Sequence, residues 1–345
     1  MAKLDRTSER FAKLVPLLRS DGFMLIVLQD NPDPDAVAAA AALRVVAHHY
    51  GNLQCSLAHG GTVGRAENRA LIEYLGLNLR ALPQLDLEAF DLVAMVDAQP
   101  GAGNQSLPTS RLPDIVIDHH PIRKDTRSCR YTDIRSKYGS TSTILWEYLV
   151  RAGMSPEMPL ATALLYGIRS DTQDLGREAT AADITAVERL YPLINKRMLS
   201  QIMRGRLTHS WFQMLTNALQ RALIFEDAII ASLGRVDNPD MMGEAADLFL
   251  RHERVRWTLS YGLYKDKILL SIRSGGDTRR AEEIAHKIAS RIGTSGGHAT
   301  MAGAQIPLKQ DSQEYIRKME NRISDRFLKA IGRPGAEGSP LVDPV

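Results

Sequence analysis

Cysteine is scarce in this 345-residue chain: there are only Cys55 and Cys129, far apart and in no C-x-x-C arrangement. That excludes a disulfide framework and a cysteine-ligated zinc site, and it points to a reducing cytoplasm. Long apolar runs are missing as well. The longest, residues 36–43, falls far short of the roughly 20 residues a membrane-spanning helix needs. The N-terminal stretch MAKLDRTSERFAKLVPLLRS has mixed charges and no continuous apolar core, so neither export nor membrane insertion is expected. Charge of one sign is also sparse. A formal net charge of +3 is too small for a broad duplex-binding surface, so duplex DNA is not an expected partner. No internal repeat and no low-complexity tract beyond a run of alanines is present, which excludes a repeat architecture.

What is there begins with size and balance. With 44% hydrophobic and 24% charged residues, the chain reads as a soluble globular protein long enough for two domains. Its organising stretch is residues 25–44, LIVLQDNPDPDAVAAAAALR: an apolar strand, an acidic elbow and an alanine-rich helix. The continuous apolar run 23–28 suits a strand buried on both faces, and Pro34 with its flanking acids suits a helix start. One aspartate there is explained by N-capping. A second at i+2 is not, because carboxylates crowded at the end of a buried strand repel unless a cation or shared proton relieves them.

Further along, two more strands deliver polar groups to the same edge. Residues 92–96 end directly in Asp97 (VDAQP), and residues 115–117 end directly in Asp118, His119 and His120 (VIDHHP). Alternating strands and helices predict an open, mainly parallel sheet, which binds ligands at the carboxyl ends of its strands. Residues 1–20 read as an amphipathic helix carrying Phe11, Leu14, Leu17 and Leu18. The segment HGGTVGR (59–65) is a glycine-rich turn, and YGSTSTILWEYL (138–149) opens with a cluster suited to capping a helix or holding a phosphate. An apolar helical run at 161–168 breaks at RSDTQD (169–174), supplying Asp171; residues 182–204 read as one helical stretch.

Beyond a soft boundary near 195–215, strand-like runs at 228–233, 257–263 and 267–273 precede a helix at 279–292 and the segment SGGHATMAGA (295–304). Residues 251–291 hold ten Lys and Arg against five acids, suited to steering a phosphate-rich ligand or simply to a solvated face. Residues 333–345 read as a mobile tail. His48 and His49 sit near the end of the elbow helix, where a partial positive charge is favourable, and receive no catalytic role.

Asp33 and Asp35, then Asp97, then Asp118-His119-His120, then Asp171, followed by Gly296-Gly297-His298, resemble the DHH family of phosphoesterases over nearly the whole chain. The likeness is to the two-domain branch of oligoribonucleases, phosphoadenosine-phosphate phosphatases and dinucleotide phosphodiesterases more than to the larger RecJ exonucleases. It implies an α/β protein: an N-terminal helix (1–20), a mainly parallel-sheet catalytic domain (21–200), a smaller α/β substrate-binding domain (201–335) and a flexible tail (336–345). It also implies a cofactor of two manganese ions, with magnesium or cobalt as substitutes. Carboxylates and imidazole without thiolates suit such ions independently, and two of them can activate water and stabilise a leaving oxygen.

By resemblance, Asp33 and Asp97 serve the first ion, and Asp35, Asp97, His119 and Asp171 the second. Asp118 orients the histidine pair, His120 contacts the scissile phosphate or leaving group, and Arg273, Ser274, Gly296, Gly297 and His298 bind substrate. The family usually carries a first-metal histidine where this chain has Gln29, whose neutral amide oxygen is a weaker ligand. The implied activity is hydrolysis of phosphate bonds in short single-stranded RNA, phosphoadenosine phosphate, or linear or cyclic dinucleotides. The competing readings are a pyrophosphatase or exopolyphosphatase, and a nucleotide-binding regulator whose turnover is reduced by Gln29. A homodimer is compatible with all three.

Overall fold

The computed structural model describes residues 2–176, 178–276, 279–297 and 299–343. They form two compact units, Met1–Arg206 and Leu207–Val345. Both are α/β, and the sheet of the first is entirely parallel.

In the first unit the order is α1 (Ala2–Leu18), β1 (Asp21–Val27), α2 (Pro34–Tyr50), β2 (Asn52–His59), α3 (Ala66–Tyr74), β3 (Leu79–Ala81), β4 (Leu92–Val96), β5 (Ile115–Asp118), β6 (Tyr131–Ile134), α4 (Thr141–Arg151), α5 (Met158–Asp171), α6 (Ala181–Leu190) and α7 (Lys196–Ile202). The strands lie in the order β3-β2-β1-β4-β5-β6, so the sheet changes direction of growth between β1 and β4. That is where a ligand crevice is expected in such a sheet. Successive residues of a strand face opposite sides: Met24, Ile26 and Leu28 enter one core, Leu25 and Val27 the other. All seven helices contribute to the first core. The second is closed by residues from the irregular segments 82–90 and 98–107 instead of by a helix layer.

The alanine-rich α2 is apolar nearly all round, and a helix of that kind must be buried; twelve of its seventeen residues are. Small side chains let α5 come close. A Cβ built on Gly167 of α5 would lie 3.1 Å from Asp35 Cα and 3.2 Å from the Pro34 carbonyl oxygen. One turn later α5 ends at Asp171, so the break expected at residue 169 comes only after the acid. The stretch read as one helix over 182–204 is divided, because Pro192 lies in a 3-10 turn (Tyr191–Leu193) and Asn195 caps α7 through Met198 N–H.

The second unit runs α8 (His209–Arg221), β7 (Leu223–Phe225), β8 (Ala228–Arg235), α9 (Met241–Phe249), β9 (Trp257–Tyr264), β10 (Lys267–Ser274), α10 (Ala281–Ala289), β11 (Thr294–Gly297), β12 (Met301–Pro307), α11 (Gln313–Ala330) and β13 (Ser339–Pro340). Its sheet has the order β11-β12-β10-β9-β8-β7-β13, antiparallel except between β8 and β9. Helices α10 and α11 supply one core, α8 and α9 the other. The segment read as a mobile tail contains β13, which pairs with β7, and Leu341 N–H donates to the Ala222 carbonyl.

Candidate metal centre

Asp33 is the N-cap of α2, its Oδ1 accepting from Ala36 N–H at 2.9 Å. Capping therefore accounts for one acid of the elbow. Asp35, in the first turn, is fully buried, and both its oxygens are held by another helix: Oδ2 accepts from Thr141 N–H at 2.7 Å and Oδ1 from Ser142 N–H at 2.8 Å. The Gly-Ser-Thr-Ser-Thr cluster thus caps α4, through Ser140, and its first amides hold an anion. The anion is Asp35's own carboxylate.

Asp97 leaves β4 in the left-handed region, at φ +53°, a conformation that costs a non-glycine residue about 1–2 kcal/mol and persists where the surroundings enforce it. Its Oδ1 accepts from Thr141 Oγ1 at 3.0 Å and its Oδ2 from Gln29 Nε2 at 3.4 Å. At the end of β5, Asp118 Oδ1 receives both the backbone N–H of His120, at 3.1 Å, and its Nδ1, at 2.9 Å. The Nδ1 of His119 lies 3.1 Å from the Tyr138 carbonyl, which can only accept, so that nitrogen carries a proton. Its Nε2 is then the nitrogen that faces the carboxylates: it carries a proton in the metal-free chain and is the atom a metal ion would take in place of that proton. It is buried 2.9 Å from Asp171 Oδ2 and 3.5 Å from Asp97 Oδ1, with no aligned hydrogen bond.

Two groups of candidate ligand atoms share His119. One joins Asp97, Asp118, His119 and His120, the other Asp35, His119 and Asp171, each within 4.8 Å. Asp33 belongs to neither group. It reaches the cluster through its charge, which raises the pKa of both Asp35 and Asp97.

Burial and mutual repulsion dominate the electrostatics. Desolvation first, then the Asp171 charge, push the Asp33 carboxyl up to about 6 and the Asp35 carboxyl up to about 7. Asp97 is raised well above the usual carboxylate range by burial and by Asp33, Asp35, Asp118 and Asp171. His119 goes the other way from a buried base: burial alone would lower it, but Asp171, Asp35 and Asp118 raise it to about 10. Asp118 is held low despite its burial, because His120 and Gln99 hydrogen-bond to it and both histidine charges favour the carboxylate. Such a set is unstable without positive charge at its centre. Oxygen and imidazole donors, a buried Nε2 aimed among carboxylates, and no thiolate fit divalent cations of the manganese, magnesium or cobalt kind.

Residues 24–168 match the model of the DHH family, N-terminal domain, and residues 226–325 match the DHHA1 domain. The chain thus joins a DHH domain to a DHHA1 domain. It is 33% identical over 338 residues to an uncharacterized protein of Methanocaldococcus jannaschii, a match covering 96% of this chain and 66% of that one. It is 28% identical over 177 residues to a probable manganese-dependent inorganic pyrophosphatase of Streptococcus agalactiae, covering 49% of this chain and 55% of the relative. Among solved structures, an exopolyphosphatase-related protein from Bacteroides fragilis shares the fold at a TM-score of 0.72 and 15% identity, over 94% of this chain and 98% of the other.

The first unit thus gathers Asp35, Asp97, Asp118, His119, His120 and Asp171, with Asp33 coupled to them through its charge and Gln29 at the margin: its Nε2 faces Asp97 and its Oε1 accepts from Asn104 Nδ2 at 3.5 Å. Gly60 and Gly61 of HGGTVGR lie close against Asp30 at the elbow. A Cβ on Gly61 would come within 2.3 Å of the Asp30 carbonyl oxygen. In the DHHA1 domain, Arg273 is engaged internally, its Nε 2.5 Å from Asp247 Oδ1 and its Nη1 2.6 Å from Ser271 Oγ. Ser274 is buried and accepts from Gly276 N–H. Gly296 and Gly297 lie on β11, at the sheet edge, and His298 falls outside the described residues. Part of the basic excess of 251–291 is neutralised by acids outside that segment, Arg256 by Asp227 and Arg273 by Asp247.

Thr141, Ser142, the Tyr138 carbonyl and Gln99 were not assigned from sequence. The first three act partly through backbone atoms, which carry no residue signature. Gln99 had one available sign, a polar residue two positions after a strand-end aspartate, but nothing in its spacing says what it faces.

Proposed function

We propose that this chain is a divalent-metal-dependent phosphohydrolase acting on phosphate bonds of short oligoribonucleotides or nucleotides, with manganese as its working ion. The observation that carries this reading is His119: Nδ1 fixed on the Tyr138 carbonyl, Nε2 buried without an aligned partner beside Asp97 and Asp171. Such a nitrogen suits a ligand whose tautomer is set from behind. Asp33, Asp35, Asp97, His119 and Asp171 would hold two ions, with Gln29 beside them as a donor to Asp97. When bound, two such ions supply an activated water and stabilise the leaving oxygen of an in-line displacement.

The chain's own residues do the rest. The N-terminus of α4 keeps Asp35 in place, and the Thr141 hydroxyl orients Asp97. Asp118 receives the Nδ1 proton of His120, setting Nε2 on the far side of the ring for contact with a phosphate oxygen or the leaving group. The DHHA1 domain supports a nucleotide substrate, with Arg273, Ser274, Gly296, Gly297 and His298 as the proposed contacts. The manganese preference draws on the name of the pyrophosphatase relative, which covers only half of this chain.

The test uses the full chain, stripped of metal and resupplied with manganese, magnesium or cobalt. Substrates are RNA di- to pentanucleotides, phosphoadenosine phosphate, linear and cyclic dinucleotides, pyrophosphate and polyphosphate, with product analysis. Mononucleotide or phosphate release from a nucleotide substrate is expected. Turnover of pyrophosphate or polyphosphate alone replaces the substrate assignment, and tight nucleotide binding with no turnover replaces the enzyme by a regulator.

A further inference from the structure

The amide of Gln99 is buried, and every polar atom on it is engaged. Its Nε2 faces three oxygens: Asp118 Oδ2 at 2.7 Å, the Pro121 carbonyl at 3.2 Å and the His120 carbonyl at 3.4 Å. Its Oε1 faces two donors, the Arg123 backbone N–H and the Thr126 hydroxyl, each at 2.8 Å. Carbonyls only accept and a backbone N–H only donates, so a single amide orientation satisfies the set. Asp118 in turn has Oδ2 on Gln99 and Oδ1 on the N–H and Nδ1 of His120.

We infer that Gln99 is a positioning residue for the reaction: it fixes the Asp118 carboxylate, which fixes the ring orientation and tautomer of His120, and it ties the 121–126 loop to the end of β4. The inference deepens the phosphohydrolase reading and rests on it for the role of His120. The clamp spans two chain segments that both lead out of the cluster. Gln99 follows Asp97 by two residues, and its oxygen holds the backbone of Arg123, three residues past His120. An apolar residue of similar volume would leave Asp118 Oδ2, the Arg123 N–H and the buried Thr126 hydroxyl without this partner, a loss of order for His120 as well as a loss of stability. Glutamate would set an acceptor against Asp118 and two carbonyls.

The decisive variant is Gln99→Met in the full chain, with Gln99→Glu beside it. Folding is checked by denaturant titration and manganese affinity by calorimetry. The tautomer of His120 is read from long-range imidazole nitrogen–proton spectra of the metal-free protein at one fixed pH, assigned with H120Q. Expected for Gln99→Met are manganese affinity within threefold of the parent, conversion of His120 from a single Nδ1-protonated ring to an averaged one, and a kcat lower by about tenfold or more at nearly constant KM. An unchanged His120 signature overturns the inference whatever happens to turnover, and a changed signature with unchanged kcat overturns its catalytic part. If the parent turns nothing over, the phosphohydrolase reading fails while the spectra still decide the clamp. Should Gln99→Met not fold, Thr126→Val removes one holder of the amide oxygen and carries the same readout with a smaller change; an unaltered His120 spectrum there overturns the inference as well.

Discussion

Gln29 stands between two roles. Its amide nitrogen lies 3.4 Å from Asp97 Oδ2 and its oxygen is turned to Asn104, so it serves the cluster as a hydrogen-bond donor. Gln29→His would replace that donor by an imidazole nitrogen beside Asp33 and Asp97, and we expect manganese affinity to rise about tenfold, read by calorimetry on chelated protein. Superimposable isotherms for parent and variant would place residue 29 outside the coordination sphere. The same side chains predict how metal-free stability depends on pH. Asp33 and Asp35 have folded values of about 6 and 7, raised from 3.8, so the folded state binds more protons and their contribution is present below about pH 4 and lost as pH rises through 6 to 7. His119, raised to about 10, loses its contribution above 6.5, in the same direction. His59, lowered by burial, works the other way as a single half-buried group. The metal-free chain is therefore expected to be more stable at pH 5 than at pH 8 by denaturant titration, and saturating manganese should flatten the difference. Greater metal-free stability at pH 8 would contradict the crowding of carboxylates.

Gly167 decides how α5 meets α2. An added Cβ would press on Asp35 Cα, the Pro34 carbonyl and, at 2.6 Å, Ser142 Oγ. The hydroxyl can rotate away, but the two backbone contacts cannot. Gly167→Ala is expected to cost about 1–3 kcal/mol, the usual range for overpacking, and to weaken manganese binding as well, because Asp171 lies one turn further along the displaced helix. Calorimetry and denaturation on the same variant test both parts; lost stability with unchanged metal affinity would mean that Asp171 adjusts independently of the helix. The α2 pattern was legible in sequence because continuous apolarity over a helical length means burial. The seat of Asp35 on the amides of α4 was not, since it joins residues 106 and 107 positions apart.

At the scale of the molecule, each unit carries its own pair of cores, one on either face of its sheet. A unit with its own core is able to fold alone. Fragments 1–206 and 207–345 should each unfold cooperatively. Manganese should raise the melting temperature of the first and leave the second unmoved, since every gathered candidate ligand lies before residue 206. A shift confined to the second fragment would relocate the metal site. Within the first unit, an ion network centred on the buried Asp133 ties α1 to the sheet: Arg10 pairs with Asp133, and Arg135 bridges Asp133 and Glu147 while stacking on Tyr138, whose carbonyl fixes His119. The residue whose carbonyl fixes His119 is thereby tied to α1 through this network.

By itself the sequence determined the acidic elbow, the strands that end in Asp97 and in Asp118-His119-His120, and the α/β class, because each depends on local patterns: apolar runs of strand length and polar groups directly after them. It determined the order of the motifs, and with it the pairing of a DHH domain with a DHHA1 domain. Tertiary structure alone decided which donors face which acceptors. The amides of Thr141 and Ser142 meet Asp35, the carbonyl of Tyr138 selects the tautomer of His119, Gln99 holds Asp118, and Arg273 pairs with Asp247. The reason is physical. Burial and hydrophobic period are written one residue at a time, whereas a hydrogen bond in a buried cluster is a distance and an angle between segments, and only the folded chain fixes both.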